Sequence, residues 1–382
     1  MARSRRRAAA GHQTRSGGEF ERCAALQQSL DDSQSGTRRV KRVPRAFAEQ
    51  ARLEQRRPPG WNNFLDVPAA LPDSLPMAKY IAQRLVLMVF TIFIVSIVVF
   101  LLVRLKGDPV DVMAPPYFSE EQRDAMRRAW GLDKPLAEQY IIFLQNAIKG
   151  DFGTSVAFKT DAMALVLERL KWTYLLAATS AVLAVLISIP LGVISALRRG
   201  SALDLLVTFG ATIGMAMPSF WIGIVLILIF SAHFRLLPAF GALESKSIIL
   251  PALTLALGMA ANLSRLTRSA MLEVISLPYI TTARAKGLFE RTVVMRHAIR
   301  NALIPVITGI GLQLGWLLGG AVIIEVVFAW PGLGRLMVDA ITLHKDIAVV
   351  QAGLLWFSLS FLMINLVVDL LYTLLDPRIR YS

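Results

Sequence analysis

Six long runs of apolar residues, almost free of charge, punctuate this chain of 382 residues, at 80–103, 172–197, 205–232, 248–263, 302–328 and 349–375. A helix crossing the hydrocarbon core of a bilayer needs about 20 mostly apolar residues, so the pattern predicts six transmembrane helices. The fourth run is short and carries Pro251 near its start. Pro190, Pro218 and Pro305 are expected to kink their helices. The fifth run holds Gly309, Gly311, Gly315, Gly319 and Gly320, a small-residue face of the kind that lets helices pack closely.

Two polar intervals are too long to be simple turns. The first is 104–171. Within it, 119–130 and 135–149 have the apolar spacing of helices. Ser119 ahead of Glu120 and Glu121 suits a helix start. This interval is expected to fold as a small helical cap. The second is 265–301, basic and helical in pattern, with Pro278 suited to a first turn and Gly287 to a left-handed stop. Ile280, Ala283 and Arg284 share one face of the expected helix. Such a helix–glycine–helix knob, with small residues on its face, suits docking into a groove on another protein. A solvated basic loop serving only as a topology signal is the alternative reading.

Lys and Arg outside the runs set orientation, whereas Asp and Glu count little. Arg198 and Arg199 follow the second run. Arg265, Arg268, Arg284, Lys286, Arg291, Arg296 and Arg300 follow the fourth, and Arg378 and Arg380 end the chain. The opposite side holds Arg235, Lys246, Arg335 and Lys345. Both termini are therefore expected in the cytoplasm, with the long 104–171 interval outside. The chain is 55% hydrophobic with net charge +14. The placement of that charge fits membrane topology and argues against nucleic acid.

Residues 1–76 carry fourteen basic and eight acidic residues and no persistent apolar stripe, a composition expected of a disordered extension. They lack the apolar core of a secretory signal. They read either as a cytoplasmic tail touching anionic lipid or, the preferred reading, as residues ahead of a true start at Met77. Cys23 is the single cysteine. No GxxxxGK[ST] phosphate loop occurs, and His12, His233, His297 and His344 form no HExxH or His–carboxylate arrangement. Catalysis is not expected, and any ATP must be used by another subunit.

Four strings then point to a family. TARAKGL at 282–288 with RHAIRNALIPVIT at 296–308 resembles the cytoplasmic loop of ABC importer permeases, closest to the dipeptide, oligopeptide and nickel branch. Gly150-Asp151-Phe152-Gly153-Thr154-Ser155, GGAVIIEVVFAWPGLGRL at 319–336 and Asp376-Pro377-Arg378-Ile379-Arg380 agree with that branch. The general importer pattern has Glu-Ala-Ala ahead of the glycine. Here Thr281, Thr282 and Ala283 stand there, as is usual in the peptide branch. The resemblance spans about residues 77–382. It implies an all-α polytopic membrane protein with the type I ABC importer permease fold, multi-pass in the bacterial inner membrane. It implies separate ABC ATPase subunits, a second homologous permease and an extracytoplasmic solute-binding protein as partners, besides membrane lipid. It further implies an ATPase-coupling loop of Thr282, Ala283, Arg284, Ala285, Lys286, Gly287 and Leu288, and a cargo of di- or oligopeptides. Nickel and glutathione remain open as cargo. The rival is an ATP-independent channel or secondary transporter, which would show inverted repeats or paired intramembrane acids.

Ionisable groups in apolar runs default to functional hypotheses. Glu325, near the outer end of the fifth run, reads equally as a pathway or packing group and as an interfacial one. Asp369, one turn after Asn365, reads preferentially as a cap or as the partner of an arginine at the cytoplasmic end.

Overall fold

The computed structural model describes residues 77–105, 110, 117–129 and 131–375. The expectations for 1–76, Cys23, part of the 104–171 interval and 376–380 lie outside them. All described residues fall in one compact unit, Ser74–Ser382. Among them the secondary structure is helical, apart from an isolated Thr154–Asp161 bridge.

Helix α1 spans Met77–Leu105, and α2 (Glu120–Ala129) and α3 (Leu136–Lys149) form the cap. Ser119 starts α2 as expected: its Oγ accepts from the Gln122 N–H at 3.3 Å, and the Gln122 carboxamide accepts from the Ser119 N–H at 2.9 Å. The cap is tied to α1 by Arg104, whose Nε and Nη2 both donate to Gln139 Oε1 at 3.0 and 2.6 Å.

The next span, α4, runs Ala162–Leu197, beginning ten residues before the expected start at 172. Asp161 caps it by accepting from the Ala164 N–H. Its first turns are apolar enough to bury Leu165, Val166 and Leu170 against later elements. Hydropathy alone cannot separate this packed extension from the membrane run.

The third expected span is not one helix. Helix α5 (Ala202–Ala216) and helix α6 (Ser219–Leu226, continuing as a π-helical turn over Ile227–His233) meet at 110°. Pro218 supplies no N–H and pushes Met217 into an extended conformation, φ −85° and ψ 134°. Pro190 and Pro305 lie inside continuous helices.

The fourth span, α7 (Ile249–Ile275), follows a short 3-10 turn. It continues twelve residues beyond the expected end at 263. Thr267, Ala270, Met271 and Val274 are buried on its inner face, so the first part of the 265–301 interval is helix and not loop. Helix α8 spans Pro278–Ala285. Helix α9 runs through Glu290–Val327, with a π-helical turn at Val293–Ala298. Helix α10 covers Leu333–Asp339, and α11 covers Ile347–Leu375. Five helices, with the bent α5–α6 pair as a sixth, meet the length and composition needed to cross a membrane.

In lipid the hydrophobic effect does not drive helices together, so close packing by small residues has to. Helices α4 and α7 show this. A Cβ on Gly192 would stand 2.5 Å from Thr267 Cβ and 2.6 Å from the Ser264 carbonyl oxygen. Gly309 of α9 gives Leu266 the same room. The central core joins Leu176 and Ala184 of α4, Leu255 and Leu263 of α7, Leu317 of α9 and Phe328, the residue that follows α9. A second cluster lies at the end carrying α8, and a third at the opposite, cap end.

Candidate functional site

The 265–301 interval contains the clearest constructed surface. Leu277, extended at ψ 146°, precedes Pro278, which occupies the first turn of α8. Gly287 stops the helix at φ +75°, a left-handed conformation that costs glycine little. Arg284 reaches across the turn and donates to both Glu290 carboxylate oxygens, at 3.0 and 2.6 Å. Those hydrogen bonds raise the Arg284 guanidinium further above its ordinary range, so its charge is fixed at any physiological pH. Both groups are well exposed, so the pair contributes about 0–1 kcal/mol and chiefly sets the angle of the knob. Tyr279 Oη accepts from Asn301 Nδ2 at 2.7 Å, holding α8 against the start of α9.

The two faces of α8 differ in burial. Ile280 and Ala283 are buried against Val193 and Ala196 of α4, Met271 and Val274 of α7, and Val293, Val294 and Ala298 of α9. Thr281, Thr282, Arg284, Ala285, Lys286, Gly287 and Leu288 are exposed. The sequence places Ala283 on the same face as the docking set; the structure turns it toward the protein's own core. Phe289 follows directly and is 84% exposed. The motif ends at Leu288 and passes over Phe289. The available signal was an aromatic residue immediately after a turn glycine, among polar neighbours.

Glu325 is fully buried. Its carboxylate accepts from Thr173 Oγ1 at 2.6 Å and from the Arg335 N–H at 3.0 Å, with the Gly334 N–H beside it. Thr173 Oγ1 in turn accepts from the Leu333 N–H at 2.9 Å. The carboxylate therefore satisfies the otherwise unpaired N–H groups at the start of α10. A side chain on Gly332 would collide with it. Trp330 Nε1 donates to the Trp172 carbonyl at 3.1 Å, closing the same joint. The string WPGLGR is thus a fold of backbone around one buried acid. Asp369 pairs with Arg84 of α1 at 3.1 Å. Asn365 faces α9, where its Oδ1 would lie 3.0 Å from a Cβ on Gly315. These three residues are not brought together.

Two carboxylates that the sequence did not single out are more deeply tied than Asp369. Asp346, 1% exposed, accepts from Ser155 Oγ at 2.5 Å and from the Ala157 N–H at 3.2 Å, and caps α11 through the Val349 N–H. The Gly150–Ser155 string thus ends on the residue that fixes the last helix. Asp204, at the start of α5, accepts from both arms of Arg268 at 2.6 and 2.9 Å.

Models of two families match this chain. The one described as "Binding-protein-dependent transport system inner membrane component" covers residues 188–381, and its N-terminal counterpart covers 77–170. The glutathione transport system permease protein GsiC of Escherichia coli (strain K12) is 43% identical over 307 residues, which is 80% of this chain and all of that protein. GsiC of Shigella dysenteriae serotype 1 matches to the same extent. A solved structure of the methionine ABC transporter MetNI, inward facing, aligns at TM-score 0.47 and 18% identity over 56% of this chain and 97% of that one.

Proposed function

The chain belongs to the family of binding-protein-dependent transport system inner membrane components, as the permease subunit of an ABC importer of the peptide and nickel branch, and from that membership we propose that it passes short peptides such as glutathione inward, driven by ATPase subunits docked on the α8 knob. The observation that carries the docking role is the division of α8: one face is anchored in the protein's own core, and the other, with Leu288 and Phe289, is presented outward. Its termini and the α8 end lie in the cytoplasm on this reading, and the cap lies outside, in keeping with the Lys and Arg distribution. There the cap meets a solute-binding protein, and a second, homologous permease completes the pathway. The cargo is supported by the relatives named for glutathione transport.

The chain performs no chemistry on this reading. ATP-driven closure of the partner subunits displaces α8. Because α8 is packed on the ends of α4, α7 and α9, the displacement is passed to three spans at once. The test is the importer co-expressed with its partners and reconstituted in vesicles, with the ATPase rate read against glutathione, other short peptides and nickel salts. Stimulation by glutathione or another short peptide is expected. Stimulation by nickel alone would reject the peptide cargo, and absence of a co-purifying ATPase would reject the docking role.

A further inference from the structure

Helix α5 lies at the α8 end but contributes nothing to the apolar cluster beneath α8. That cluster takes residues from α4, α7, α8 and α9 and none from α5. Between the start of α5 and Gly214, which lies 3.2 Å by its would-be Cβ from Ala261, the helix faces an apolar groove of about 480 Å³. Ile187 and Leu191 of α4, Leu206 and Gly210 of α5, and Leu257 of α7 line it. Apolar packing is therefore incomplete along the flank where α5 should meet its neighbours.

What holds the end of α5 is polar. Asp204 is 6% exposed and meets three elements. Arg268 of α7 donates Nε to Oδ1 at 2.6 Å and Nη2 to Oδ2 at 2.9 Å. Ser195 Oγ of α4 donates to Oδ1 at 2.5 Å, and the Gly200 N–H of the connecting turn donates to Oδ2 at 2.9 Å. A bidentate arginine–carboxylate pair resists rotation as well as separation, and burial strengthens it. Arg268 lies one residue beyond Thr267, which packs against Gly192, and three residues before Met271, which packs beneath α8. The cluster thus bolts α5 to the same helix ends that carry α8.

We propose that the Asp204–Arg268–Ser195 cluster is the strut that fixes the cytoplasmic end of α5 to α4 and α7 and so transmits displacement of α8 to the bent α5–α6 span without slip. Asp204 and Arg268 are positioning residues: they touch neither ATP nor cargo. When the ends of α4 and α7 move with α8, α5 moves with them as one body, while α6 rests on the far end of α7 and on the residue after α9, where Gly223 packs against Thr254 and Phe328. The proposal rests on the docking reading of α8.

The test uses the assembled importer in vesicles, with Asp204→Asn and Arg268→Lys variants. Asp204→Asn keeps the shape and removes the charge. It is expected to retain its ATPase subunits and hydrolyse ATP at the wild-type rate or faster, while glutathione uptake per ATP hydrolysed falls about tenfold, within the ordinary range of inter-site coupling. Arg268→Lys, which keeps the charge and loses the fork, falls between. Uptake and hydrolysis reduced in equal proportion, or left unchanged, would overturn the strut. A second measurement needs no variant of the cluster. Spin labels at Leu205 and Ser269, in a Cys23→Ser background, should keep their separation through the ATP cycle; a change in separation would overturn the proposal. Both readings are made on complexes that retain their ATPase, so failure of the docking role, seen as absent ATPase, is told apart from failure of the strut.

Discussion

At the scale of single residues, Phe289 and Ala283 sit six positions apart and should fail in different ways. Phe289 is an exposed aromatic on the outward face of the knob, the kind of side chain that dominates interface energies when it is covered. Phe289→Asp is expected to weaken ATPase binding by about 2 kcal/mol or more, roughly 30-fold. Titrating purified ATPase onto the permease in nanodiscs would measure it, with the amount inserted in membranes unchanged. Ala283→Glu instead puts a charge into the cluster beneath α8. It should lower the melting temperature before any partner is added. Glu325 is a third case. Glu325→Ala would strand Thr173 and the N–H groups that begin α10. The expected cost is about 2–3 kcal/mol, from the usual 1–3 kcal/mol per stranded buried polar group, read as a fall in thermal stability. Glu325→Gln keeps the shape and an acceptor oxygen and should cost less.

At the scale of elements, the contact of α4 with α7 depends on the missing side chain of Gly192. Gly192→Ala should separate the two helices or displace Thr267, at a cost of about 1–3 kcal/mol, again visible in the melting temperature. The small residues of the fifth run stood out in the sequence and this glycine did not, although Ser180, Ala184, Ser188, Gly192 and Ala196 recur every fourth residue as a buried small face of α4. The apolar runs, the two cap helices, Pro278 at the start of α8 and the left-handed Gly287 were all legible, since each rests on local chemistry. Helix α7 was expected to end where hydropathy falls at Arg265. It continues because Thr267, Ala270, Met271 and Val274 find an inner face to bury against and Arg268 finds Asp204, 64 residues earlier, contacts that no local window contains. The same reason hid Asp346, whose partner Ser155 is 191 residues away. Glu325 was visible as an acid in an apolar run, but not the loop that folds onto it.

At the scale of the whole molecule, orientation is the property on which the docking and transport readings both depend. With Cys23 replaced by Ser, a cysteine at Lys286 should react with an impermeant maleimide only in inside-out vesicles, and a cysteine at Lys134 of the cap only in right-side-out ones. The reverse pattern would place the ATPases on the wrong side of the membrane. The break at Met217–Pro218 bears on how the chain enters the bilayer during synthesis. Helix α5 has 15 residues, and α6 with its π-helical turn has another 15. At 1.5 Å per residue each half reaches about 22 Å, short of a hydrocarbon core of about 30 Å. Neither half is a self-sufficient insertion signal. The unpaired backbone at the break is tolerable in lipid only when protein covers it, so the bent form of this segment depends on α7, a helix made after it. The run 205–232 is long enough to enter the bilayer as one span, and the bend is then a property that the finished bundle imposes on it.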